Sequence, residues 1–281
     1  MVSDMDELVL TTDHGRSLLR SIEDAALVAA AMIMQQRHRG VTVQLKSDQS
    51  PVSTADVEAE RAICTMLERQ HPLIPIVAEE RASSGQIAND LGDTFFLVDP
   101  LDGTKEFLAG RTDFTVNIAL IIKGSPVAGA IISPALGRMY SGLRGSEAST
   151  VEIDVNSLDW RGNSKPLIVR SPSKMEIAVA SRSHRCFETD EFIKRKGVQK
   201  VVSAGSSLKF CMIAEGLADV YPRFGRTMEW DTAAGDAILR AAGGRTVDTS
   251  GRDLIYGKRH DGTTNDFANP AFIAIGADYP L

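Results

Sequence analysis

Apolar residues recur at helical spacing from Arg16 to about Arg37, at Leu18, Leu19, Ile22, Ala26, Ala29 and Ile33. This pattern predicts a long amphipathic helix, which Gly40 ends. The alternating VTVQLK then reads as a short strand, SDQSP as a turn, and Asp56 as the start of a second helix that runs to His71. Two short β-like runs follow, IPIVA and TFFLV, and each stops at an acid, Glu79 and Asp99. TVNIALII, the turn Lys123-Gly124-Ser125 and PVAGAIIS pattern an antiparallel hairpin, with GRMYSGLRG as a third strand.

A polar stretch from Gly145 to Lys165 carries no periodicity and predicts a loop or lobe junction. Beyond it, PLIVRS and IAVASRS read as strands, followed by a strand at KVVSAG, a helix through SLKFCMIAEG and a strand at ADVYPRFG. A helix from Asp231 to Ala242 and a final strand at FIAIG close the pattern. The first half therefore predicts helices on an antiparallel sheet and the second an α/β alternation, a mixed α+β / α/β chain with lobes at 1–150 and 151–281.

Composition narrows the function. With 281 residues and 43% apolar content the chain can bury a sizeable core. A net charge of -6 and the lack of any Lys/Arg run exclude general attraction to nucleic acid or acidic membranes, so an anionic ligand has to be recognised by local cations. Cys64, Cys186 and Cys211 lie far apart and form no CxxC pair, so neither a zinc site nor a disulfide framework is indicated, and a reduced cytoplasm is expected. The start MVSDMDELVL lacks the basic and apolar regions of a secretory signal, and the apolar run from Ala25 to Met34 is too short to span a bilayer, so a soluble protein is expected.

The strongest chemical feature is Phe95-Phe96-Leu97-Val98-Asp99-Pro100-Leu101-Asp102-Gly103-Thr104. A buried strand delivers Asp99, Pro100 shapes the turn, and Asp102 returns three residues later, so two carboxylates, the ligands magnesium prefers, converge. Gly103 lets backbone approach a ligand, and the N–H groups after it suit phosphate oxygens if a helix starts at Thr104. A solvated Asx turn explains the same residues. Glu79 also ends a strand, Glu80 reads as a surface residue, and Asp231 stands where a helix cap belongs. If Glu79, Asp99, Asp102 and Asp231 share a site, each pair about 4 Å apart repels by roughly 1–4 kcal/mol, which bound divalent ions would relieve. Spacing alone does not bring the four together.

VAEE at 77–80, DPLDGT at 99–104 and WDTAAGDA at 230–237 closely resemble the three motifs of the inositol monophosphatase superfamily of metal-dependent, lithium-sensitive phosphatases, a likeness that spans residues from about 16 to 275. SPVSTAD at 50–56, DPLDGTKEF at 99–107 and GSSLKFCMIAEGLADVYPRFG at 205–225 resemble its branch of 3'(2'),5'-bisphosphate nucleotidases of the CysQ type. Inositol phosphatases typically have Asn-Phe after the Gly-Thr, where this chain has Lys105-Glu106-Phe107. The resemblance implies a layered αβαβα sandwich and cleavage of adenosine 3',5'-bisphosphate to AMP and phosphate in sulfur metabolism, with the sulfated analogue as a further candidate substrate. It also implies two or three Mg2+ ions, a monomer or homodimer, and a cytoplasmic protein, at most peripheral to the inner membrane.

By the same resemblance, Glu79, Asp99, Asp102, Asp231 and the Leu101 carbonyl bind metal, and Asp56 accompanies a further ion. Glu79 and Thr104 orient and deprotonate the attacking water, and Gly103, Thr104, Lys105 and Asp231 lie against substrate. Ser206, Lys209 and Arg223 hold the second phosphate and ribose region, with His184 near the base or sugar. Ser206 and Lys209 are three apart and share a face if a helix starts there, although a cap, a solvated lysine and a turn residue explain Ser206, Lys209 and Arg223 equally well one at a time. Other readings stay open. The DPLDGT segment is one residue out of step with the DxDGT nucleophile of haloacid dehalogenase-type phosphatases, an inositol or other sugar-phosphate phosphatase would keep the same fold and metals, and a non-hydrolysing nucleotide sensor would keep the pocket alone.

Overall fold

The computed structural model describes residues 12–46, 51–88, 90–159, 162–171, 174–182, 186–259, 266–276 and 279. The first helix, α1 (Thr12–Arg39), starts ahead of the predicted Arg16 and buries Leu18, Ile22, Ala26, Ala29 and Ile33 along one stripe. Gly40, at φ +86°, takes the left-handed conformation that ends it. Strands β1 (Val43–Leu45) and β2 (Pro51–Ser53) pair antiparallel, and most of the expected SDQSP turn between them lies outside the described residues. Helix α2 (Thr54–Gln70) begins two residues before Asp56, because Ser53 is its cap: the Ser53 hydroxyl accepts from the Ala55 N–H at 3.2 Å, and the Asp56 carboxylate reaches back to the Ser53 N–H at 2.8 Å.

The chain continues through β3 (Ile76–Ala78), the short helix α3 (Glu79–Ser83), β4 (Thr94–Asp102), the short helix α4 (Thr104–Leu108), β5 (Thr115–Ile122), β6 (Ser125–Ser133) and β7 (Arg138–Leu143). The stretch expected to be a loop instead adds β8 (Ser149–Glu152) and β9 (Lys165–Pro166) to this sheet. These strands are too short for a period to show in their sequence. The seven-stranded order is β3-β4-β5-β6-β7-β8-β9, parallel only between β3 and β4.

A second sheet follows, built with β10 (Ile177–Ser181), α5 (Phe187–Arg195), β11 (Lys200–Ala204), α6 (Leu208–Ala214), β12 (Val220–Arg223), α7 (Ala233–Ala241), β13 (Arg245–Asp248) and β14 (Phe272–Ile275). Its order is β11-β10-β12-β14-β13, with β12–β14 and β14–β13 antiparallel. Two expectations change: only Pro166 of PLIVRS is strand, and the last helix starts at Ala233 after a single 3-10 turn at Glu229–Asp231, while α5 and β13 are elements for which the sequence carried no clear signal.

The two faces of the first sheet bury different partners. Phe96, Val98, Val116, Ile118 and Ile132 meet α1 and α2, whereas Phe95, Leu97, Ala119, Ile121 and Tyr140 meet α6, α7 and the inner residues Val179, Tyr221 and Phe272 of the second sheet. The outer face of that second sheet, with Ala178, Val220 and Ile273, is covered by Phe192 and Ile193 of α5. The result is the layered αβαβα sandwich. Among the described residues no helix is long and apolar enough to cross a membrane.

Candidate active site

Strand β4 carries the first two acids, and three residues apart on a regular strand they would point to opposite faces. The pairing corrects this: Asp99 lies opposite Asn117 and Asp102 opposite Thr115, so three steps on β4 match two on β5. That β-bulge puts both carboxylates on one side, and Pro100 suits a position where no ladder N–H is needed. The Leu101 N–H donates to Asp99 Oδ1 at 3.0 Å and closes the turn. Gly103 then takes φ +92°, where an added Cβ would lie 3.0 Å from the Asp113 carbonyl, and launches α4 at Thr104.

Glu79 sits at the end of β3 as the first residue of α3, and Asp231 ends the 3-10 turn before α7. The Asp231 carboxylate does not cap α7 as its position suggests. It turns back to accept from the Met228 N–H at 2.8 Å, and Thr232 precedes the helix. Asp56, buried under α4, accepts at Oδ1 from the Thr104 hydroxyl at 3.0 Å, and that hydroxyl is 3.1 Å from the Leu101 carbonyl.

These acids share one electrostatic environment. Burial pushes the Asp99 carboxyl well above the usual range, and Glu79, Asp102 and Asp231 push it further. Asp231 is raised well above that range by burial and then by Asp102. Asp102 is raised by burial against the opposing pull of Lys209 and Ser207, and Glu79 by burial against Lys46, with Asp56 and Asp102 adding to the rise. Four acids close enough that three of them raise the buried Asp99 lack positive charge. An all-oxygen donor set of this kind fits Mg2+, which keeps several of its own waters. The shell is not drawn tight: among the described residues no group of three or more acids, histidines or cysteines stands at metal-ligand spacing. A protein cation answers part of the charge, because Lys46 Nζ lies 2.7 Å from both Glu79 and Glu80. Glu80 is thus no solvated surface acid; burial and then Glu79 push its carboxyl up to about 7.

The residues expected to hold a second phosphate gather at the other side. Lys209 is buried, its ammonium 2.5 Å from the Ser206 carbonyl and over the Tyr221 ring at 5.2 Å. Burial pushes it down to about 8, and Asp102 pulls against that. Arg223, at the end of β12, is also buried and donates to the Arg226 carbonyl at 3.1 Å. Lys105 is exposed on the first turn of α4, and His184 lies outside the described residues. Sequence reasoning missed Lys46, Glu60, Thr115, Asn117 and Ser207. The Glu60 carboxylate takes the N–H groups of Glu80 and Arg81, at 2.6 and 2.9 Å, and so fixes the first turn of α3 that begins with Glu79. The only sequence signal for Glu60 is an acid on the buried stripe of α2.

The model of the inositol monophosphatase family matches residues 16–274. A 3'(2'),5'-bisphosphate nucleotidase CysQ of Shigella flexneri is 40% identical over 243 residues, 86% of this chain and 92% of the relative. The protein of the same name from Escherichia coli K12 is 38% identical over 246 residues, with 86% and 92% covered. Among solved structures, CysQ from Bacteroides thetaiotaomicron superposes with a TM-score of 0.74 at 36% identity, covering 93% of this chain and 98% of that one.

Proposed function

The chain belongs to the inositol monophosphatase family, and on that premise we propose that it is a Mg2+-dependent 3'(2'),5'-bisphosphate nucleotidase that hydrolyses adenosine 3',5'-bisphosphate to AMP and phosphate. The observation that carries the chemistry is that Glu79, Asp102 and Asp231 all act on the buried Asp99 carboxyl and raise its affinity for protons. These four, with the Leu101 carbonyl and with Asp56 for a further ion, would hold two or three Mg2+. Bound Mg2+ supplies charge neutralisation, Lewis acidity towards the phosphoryl oxygens and an acidified water.

The remaining work falls to the protein's own groups. Donating its proton to Asp56 leaves the Thr104 oxygen as an acceptor, so it orients a water for in-line attack on the 3'-phosphorus. Glu79 takes the water's proton as the new P–O bond forms and the P–O bond to the 3'-oxygen breaks, and the departing 3'-oxygen takes a proton from solvent water to become the hydroxyl of AMP. The Gly103–Lys105 backbone lies against the reacting phosphate, while Ser206, Lys209 and Arg223 hold the second phosphate at the ends of α6 and β12 and His184 contacts the nucleoside. Catalysis of this kind is mostly positioning and charge neutralisation. A cytoplasmic setting, as monomer or homodimer, fits the free thiols of Cys64, Cys186 and Cys211.

Phosphate release from adenosine 3',5'-bisphosphate and from inositol 1-phosphate, each with Mg2+ and with EDTA, tests this. The expected result is a strong preference for the nucleotide that EDTA abolishes. Preference for inositol phosphate would overturn the substrate, and EDTA-resistant turnover would overturn the metal chemistry.

A further inference from the structure

Thr115 and Asn117 are two residues apart on β5, so they face the same side of the first sheet and lie opposite Asp102 and Asp99. Both are buried, and each reaches a consecutive residue of the loop that leads into α6. The Thr115 hydroxyl is 2.9 Å from the Ser206 hydroxyl, and Asn117 Nδ2 donates to the Ser207 hydroxyl at 2.9 Å. The Ser207 oxygen in turn lies 3.0 Å from Asp102 Oδ2 and 2.7 Å from the Asp231 carbonyl. Asn117 thus ties the first sheet to the loop ahead of α6 through one serine that touches both a β4 acid and the turn that carries Asp231.

Proton counting sharpens the role of this serine. An amide nitrogen donates and does not accept, so Ser207 accepts from Asn117 and has one proton of its own to give. It gives that proton to the Asp102 carboxylate or to the Asp231 carbonyl. A carboxylate is the stronger acceptor while its charge is unanswered, and a cation on Asp102 frees the hydroxyl for the carbonyl. Either way the oxygen stays in place and ties the two segments together. The Thr115 contact has a separate task. Ser206 is held at φ +44°, an uncommon conformation for a residue with a side chain, and its hydroxyl is engaged by Thr115 and its carbonyl by Lys209.

We propose that Asn117 and Ser207 are positioning residues that set Asp102 and the Asp231 turn for divalent-ion binding, while Thr115 sets Ser206 and Lys209 for the second phosphate. This rests on the nucleotidase reading given above. The two contacts divide the labour, so their variants differ in which parameter moves. Divalent-ion affinity is read by calorimetry and by thermal shift with Mg2+ and Mn2+, and kcat and KM on adenosine 3',5'-bisphosphate at saturating Mg2+. Asn117→Ala and Ser207→Ala are expected to weaken ion binding about 10–100-fold, with activity recovered in part by excess Mg2+ and with Ser207→Thr restoring affinity. Thr115→Val is expected to raise KM about tenfold with ion affinity unchanged. Should Ser207→Ala fail to fold, Ser207→Cys keeps the volume, weakens the donor and reads the same affinity. Wild-type ion affinity in the Asn117 and Ser207 variants, or equal shifts of the same parameter in all three, overturns the proposal. Failure of the wild-type protein to bind either ion overturns the nucleotidase reading instead.

Discussion

Lys209 is a cation in surroundings that oppose its charge. Burial pushes its ammonium down to about 8, Asp102 pulls it back, and Arg223 adds to the fall. Below about pH 8 the side chain is charged and suits a phosphate; above it the proton leaves. KM for adenosine bisphosphate is therefore expected to rise above about pH 8, in pH–rate profiles, and not in Lys209→Arg, whose guanidinium stays charged. A cation on Asp102 removes the opposing pull and moves that limb lower. Asp102 itself gives a test with two readouts. Asp102→Asn removes an anion that raises both Asp99 and Asp231. Turnover should fall more than about 10²-fold while the metal-free protein melts no lower than wild type. Retention of most activity would sink the metal assignment. At this scale the sequence displayed the acids themselves, but not Ser207, whose role depends on what stands 3.0 Å away.

Short elements, not long ones, aim the site. The bulge at Pro100-Leu101, the turn at Gly103, the five-residue helices α3 and α4 and the 3-10 turn at Glu229–Asp231 together present the acids and the Thr104 hydroxyl. Gly103 is the pivot between β4 and α4. In Gly103→Ala the left-handed φ is strained, and the new Cβ meets the Asp113 carbonyl at 3.0 Å and the Phe114 Cα at 3.3 Å. A loss of about 1–3 kcal/mol is expected in denaturant unfolding, together with lower kcat, because Thr104 moves away from Asp56. Unchanged stability would mean the turn has another low-energy form. The long helices and the β5–β6 hairpin were legible from periodicity. The helix of nine residues at 187–195 and the strands at 149–152 and 245–248 were not, since so few residues hold too few periods to stand out.

Across the whole molecule, the acids put stability and metal in one equilibrium. Glu79, Glu80, Asp99, Asp102 and Asp231 all hold protons more tightly folded than unfolded. Between the unfolded carboxyl value of about 4 and the folded values, about 7 for Glu80, the folded state carries more protons, so stability falls as pH rises. Scanning calorimetry in EDTA should therefore show Tm declining from pH 4.5 towards 7.5, roughly, and Mg2+ should raise Tm most at the upper end of that range. A flat profile in EDTA would contradict acids that hold protons more tightly folded than unfolded. The layers make this coupling stiff. Helix α7 lies so close to the first sheet that a Cβ on Gly129 would meet the Ala234 backbone at 2.9 Å and one on Gly142 the Ile238 Cα at 2.8 Å. The Asp231 turn directly ahead of that helix is anchored by the same contact.

The sequence by itself determined the mixed class, the long helices, the central hairpin and the family, because those rest on periodicity and on contiguous motifs such as DPLDGT and WDTAAGDA. Only the tertiary structure decided that Asp231 turns away from its helix, that Glu80 is held by Lys46, and that Asn117 meets Ser207 across 90 positions. Those outcomes come from pairing register and layer packing, which bring together residues that no local pattern connects.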